Sequence, residues 1–144
     1  MKTTSRILTT ALCAAFAISS TFAEEKKGEP SHAKVEVKIP DTAAALWTEI
    51  EARQKTVSEA VAAKKGEGLV EISETLEALV NAVPSKYPDL AADKKKRVEG
   101  QVKNVARVLD EMHDAGVEGK WDVAAKKFTQ VETAVKLIKQ QVGK

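Results

Sequence analysis

Cysteine is nearly absent from this 144-residue chain, Cys13 being the only one, and that absence excludes a good deal of chemistry. No intrachain disulfide is available, and without a Cys-x-x-Cys-His run covalent haem is excluded. Non-covalent haem held by Met and His from different helices is excluded as well, because Met112 is the one methionine past Met1 and neighbours His113. Proline is confined to Pro30, Pro40, Pro84 and Pro88, which leaves long stretches uninterrupted. Aromatics past residue 23 are only Trp47, Tyr87, Trp121 and Phe128. No apolar run reaches the roughly 20 residues that a membrane-spanning helix needs.

The longest apolar run is Ile7 to Ile18, about a dozen residues interrupted by Thr9 and Thr10. Lys2 and Arg6 precede it, and Thr21-Phe22-Ala23 follows as a small-x-small cleavage site before charged Glu24-Glu25-Lys26-Lys27. Residues 1–23 therefore read as a secretory signal peptide cut after Ala23, placing the protein outside the cytoplasm, periplasmic or secreted, with no stable membrane insertion. Lipidation at Cys13 is not expected, because bulky Leu12 stands where a lipoprotein has a small residue.

Cleavage changes the charge. Removing Lys2 and Arg6 from the 23 Lys and Arg leaves 21, against 21 Asp and Glu. A neutral mature chain offers no bulk attraction to nucleic acid or to an anionic membrane.

What remains is rich in Ala, Val, Glu and Lys with helical periodicity, the composition of an all-α protein. Residues 24–40 form a charged extended tail whose end, Val35-Glu36-Val37-Lys38-Ile39, alternates apolar and charged as a half-buried segment does. Residues 41–144 carry four amphipathic stripes. The first helix, capped by Asp41, runs through Ala43, Leu46, Trp47, Ile50, Val57, Ala60 and Val61, and Gly66-Glu67-Gly68 stops it. The second presents Leu69, Ile72, Leu76, Leu79, Val80 and Val83 and ends at Pro84, which has no N–H to donate. The third, capped by Asp89, presents Leu90, Val98, Val102, Val105, Leu109 and Met112. The fourth follows a Gly116–Lys120 turn and presents Trp121, Ala124, Phe128, Val131, Val135, Ile138 and Val142.

Short connections make sequential helices antiparallel neighbours, so the expected fold is an up-down-up-down four-helix bundle after a cleaved signal peptide. At about 1.5 Å per residue the second helix is about 25 Å long and the others about 33–39 Å, and residues 35–39 are expected to cover the shortfall. Arg53 and Gln54 in the first stripe and Gln101 in the third interrupt apolar spacing near mid-helix. Two outcomes follow: a buried polar layer joining them, or a one-position drift that buries Val102 and lets Arg53 reach water.

The ligand-type side chains cluster at Asp110, His113 and Asp114, three and four residues apart from Asp110 and hence on one helical face, with Glu118 the nearest residue of a neighbouring element. Such a face suits a divalent ion. The competing reading has Met112 filling core and His113 meeting helix-end carbonyls in the last turn. Elsewhere carboxylates pair with bases at helical spacing, Glu49/Arg53, Glu51/Lys55 and Asp93/Arg97, the pattern of a solvated face and not of an active site. Lys94-Lys95-Lys96-Arg97 also reads as solvated surface.

Gly119-Lys120-Trp121 with Ala124 and Phe128 resembles the second-helix opening of a tetratricopeptide repeat, but no copy recurs at a 34-residue period. Leu109, His113, Asp114, Ala115 and Gly116, then Ala124-Ala125-Lys126-Lys127, resemble small exported bacterial four-helix-bundle proteins, largely uncharacterised. Some of those carry a further histidine on the second helix, which this chain lacks, and that absence weakens a metal role implied by the resemblance. The expected function is that of an exported, non-enzymatic binding or accessory protein without cofactor, acting on a protein partner. The alternative is a small periplasmic metal-handling protein using Asp110, His113 and Asp114.

Overall fold

The computed structural model describes residues 36–143; the expected leader with Cys13, the tail through Val35 with His32, and Lys144 lie outside the described residues. Four α-helices make up the described chain: α1 Ala43–Ala62, α2 Leu69–Ala82, α3 Ala92–Val117 and α4 Trp121–Val142. A 3-10 turn, Val83–Lys86, follows α2, and no strand occurs among the described residues. α3 and α4 pack most extensively on each other, α2 packs on α1 and α3, and α1 also meets α4.

The helices bury the faces that their spacing predicts. On α4 the buried set is Ala124, Phe128, Val131, Val135, Ile138 and Val142, joined by Ala134, with Trp121 partly covered. On α3 it is Val98, Val102, Val105, Leu109 and Met112, joined by Val108 and Ala115. On α2 Ile72 is only half-buried while Ser73 is buried, its hydroxyl donating to the Leu69 carbonyl at 2.7 Å. A serine is tolerated there because the hydrogen bond satisfies its polar atom within its own helix.

Helix ends depart from expectation. Thr42, not Asp41, caps α1, its Oγ1 accepting from the Ala45 N–H at 3.2 Å. Asp89 does not cap α3, which starts three residues later with no side-chain cap, while Leu90 turns in against the core. Burial of Leu90 fixes where the helix can start, and capping propensity yields to it. Gly116 lies in the last turn of α3 and not in the connection: the helix continues to Val117, and only Glu118, Gly119 and Lys120 connect it to α4.

α1 and α3 end in the same way. Past α3, Gly119 takes φ 73°, its N–H donating to Gly116 and the Lys120 N–H reaching back to Ala115 at 2.8 Å. Past α1, Lys64 takes φ 54°, its N–H donating to Val61 and the Lys65 N–H to Ala60 at 3.0 Å. This is the Schellman geometry, and α1 enters it well before Gly66-Glu67-Gly68. Lysine at that left-handed position carries a Cβ penalty, so Lys64→Gly should raise stability by about 0.5–1 kcal/mol, seen as a higher urea midpoint at unchanged slope.

α2 has 14 residues against 20, 26 and 22 for α1, α3 and α4, so it is the short member. Residues 36–40 have no regular secondary structure and lie beside α1 and α2, with Val37 and Ile39 packed on the core and Glu36 and Lys38 exposed. The polar layer does not form. Arg53 donates to Glu49 on its own helix at 2.9 Å, Gln54 opens on a groove shared with α4, and Gln101 opens on the outer groove between α3 and α4. Val102 is buried instead, because aliphatic stems reach water at less cost than three polar heads buried together.

Candidate functional site

The carboxylate-rich end of α3 is built by two helices. Met112 points into the core with no exposed surface, which turns its neighbours His113 and Glu111 to either side. Glu111 faces α4, where Lys127 bonds it, while Arg107 bonds it from within α3. The Lys127 hydrogen bond, then the charge of Arg107, hold the Glu111 carboxyl below the usual carboxylate range.

The predicted ligands are placed as follows. His113 is largely covered and its Nδ1 stands 3.5 Å from an Asp114 oxygen, whereas the Asp114 side chain is mostly in solvent. α3 runs a full turn past His113, to Val117. Asp110 is exposed and faces the Glu77 carboxyl of α2. Glu118 does not complete the set: its carboxylate is held by Lys120 at 2.6 Å, a hydrogen bond that lowers its pKa. Among the described residues no three His, Cys, Asp or Glu side chains converge as a metal ion requires.

Sequence reasoning missed Glu77. Burial beside α3, then the charges of Asp110 and Glu74, push its carboxyl above the usual range, against an opposing hydrogen bond from Asn81. A raised carboxyl pKa means that the folded state binds the proton more tightly than the unfolded state. The stability this contributes is complete below about pH 4.5 and is lost as pH rises through the higher native value. Glu77→Gln should therefore stabilise the protein at neutral pH and have little effect near pH 4, as thermal melts at both pH values would show.

A second feature is a groove of about 490 Å³ between residues 36–40, α1 and α2. Val37 supplies apolar surface over fully buried Leu79, and Glu36, Lys38, Glu49, Arg53 and Glu71 supply charges of both signs. The only legible signal for it was the shortness of the second helix. A third is the Trp47 cluster: its indole N–H donates to the Tyr87 hydroxyl at 2.9 Å, and Lys139 sits 5.6 Å from its ring while bonding Glu51. These contacts tie α1, the α2–α3 connection and α4 together, and they divert Glu51 from Lys55, which instead lies 3.9 Å from Glu59. Of the expected helical pairs Glu49/Arg53 forms, at 2.8 Å, and Asp93/Arg97 does not.

No described helix is long and apolar enough to cross a membrane. No protein-family model, curated protein or solved structure is significantly similar to the chain.

Proposed function

We propose that the chain is an exported, non-enzymatic binding or accessory protein, an up-down-up-down four-helix bundle released by cleavage after Ala23, akin to the small exported bundle proteins that it resembles. The groove beside α2 supports this reading. It is open, carries both charge signs around Val37, and is walled by residues 36–40, which suits a polypeptide segment of a protein partner. Thr75 lines the same groove, so Thr75→Trp should fill it while leaving the core untouched. The test is paired capture from the exported fraction with the wild-type protein and Thr75→Trp. Partners held by the first and lost by the second support the reading, and identical capture overturns it. Export has its own test: the mature protein should begin at Glu24 by intact mass.

The alternative, metal handling, draws on one observation. The Asp110 charge on α3 helps to raise the Glu77 carboxyl on α2, and a divalent cation would relieve that repulsion. Titration calorimetry with Cu, Ni, Co and Zn separates the two readings. One uptake event abolished by His113→Ala supports metal handling, and silence with all four removes it.

A further inference from the structure

Lys96, Gly100, Lys103, Arg107, Asp110, Asp114 and Val117 recur on α3 at alternating spacings of four and three, so they form one straight stripe along the helix. All seven are exposed. Their charges are divided: the N-terminal half is basic and the C-terminal half acidic, and Asp93 is the only acid in the first turn while no base lies in the last. This order runs against the helix dipole, which favours acids at the start and bases at the end. An isolated α3 gains nothing from it.

A second α3 lying antiparallel gains from six of the seven positions, all but Lys96. Rotation about a two-fold axis between Arg107 and Asp110 sets Lys103 opposite Asp114 and Arg107 opposite Asp110, each pair occurring twice. The same register sets Val117, 68% exposed, opposite Gly100, where no atom lies within 4 Å of the place a Cβ would occupy. The charge pattern is thus its own complement under the symmetry of a closed dimer.

We propose that the outer face of α3 is a self-association surface, through which two copies of this chain pair antiparallel. The occupant is a second copy because complementarity, register and the apolar-to-glycine fit all come from one stripe. Arg107 already bonds Glu111 and Asn104 within its own helix, so the Lys103–Asp114 pairs carry most of the selectivity. A single helix face with exposed ion pairs gives a reversible dimer that weakens as salt screens it.

Sedimentation velocity of the full mature chain over a concentration series tests this at about 20 mM and about 300 mM salt, which bracket strong and weak screening. The wild type should shift from monomer toward dimer with concentration at low salt and shift much less at high salt. Lys103→Glu places two acid pairs in the interface and Asp114→Lys two basic pairs, so each variant alone should stay monomeric. Mixed in equal amounts, the two should recover the wild-type dimer, because only the heterodimer restores opposite charges at both positions. Both substitutions are solvent-exposed, and far-ultraviolet circular dichroism confirms folding of each. A wild type that stays monomeric throughout the low-salt series overturns the proposal. So do single variants that dimerise like the wild type, or a mixture that remains monomeric.

Discussion

Phe128→Ala should destabilise the protein by about 3–5 kcal/mol, a large fraction of the roughly 5–15 kcal/mol that holds a small domain folded. The ring is 4% exposed at mid-helix on α4, with Ala124 and Val131 a turn away on either side, both fully buried. Truncation removes the largest buried side chain of α4 and leaves a cavity that α3 and α4, the most extensively packed pair, cannot close without shifting a whole helix. Urea unfolding followed at the tryptophans should show the loss as a lower midpoint. A loss under about 1 kcal/mol would mean that this stripe is not core.

Gly116→Ala should destabilise by about 1–3 kcal/mol, although alanine is the better helix former. A Cβ at Gly116 would stand 2.6 Å from Cδ2 of Leu69 and 3.6 Å from the Trp121 ring. Leu69 is buried as the first residue of α2, so its Cδ2 can give way only by repacking within the core. Gly116 is therefore a point where the end of α3, the start of α2 and the start of α4 meet. Gly100, also inside α3, has nothing within 4 Å, and Gly100→Ala should stabilise by about 0.5–1 kcal/mol in dilute solution. Opposite signs for one substitution on one helix separate backbone propensity from packing, and denaturation of the two variants side by side reads both.

How much of this was legible follows from the range of the forces involved. The stripe of α4 was readable almost residue for residue, because burial of one face imposes a spacing that nothing else in the sequence competes with. The alternation of Val37 and Ile39 with Glu36 and Lys38 was readable for the same reason. Glycine was a poorer guide. Gly66-Glu67-Gly68 and Gly116 both looked like the ends of helices, yet α1 stops earlier, at Ala62, with the left-handed residue Lys64 beyond it, and α3 includes Gly116 and ends at Val117. A glycine marks either a left-handed turn or a close approach, and only the neighbour across the gap, here Leu69, tells which.

The site region shows the same division. Asp110, His113 and Asp114 share a stretch of α3, but the residue that meets Asp110 is Glu77, on another helix and 33 positions away in the chain. Helical spacing alone proposes Glu51 with Lys55, whereas packing of α1 on α4 offers Lys139, and the lysine that also covers Trp47 wins. By itself the sequence determined an all-helical chain, the faces that its helices bury and the shortness of α2, since periodicity and chain breaks act over a few residues. Where helices begin and end, which charges meet and which glycine is irreplaceable were decided only in the tertiary structure. Those outcomes depend on which side chain arrives from another helix, and no local pattern records that.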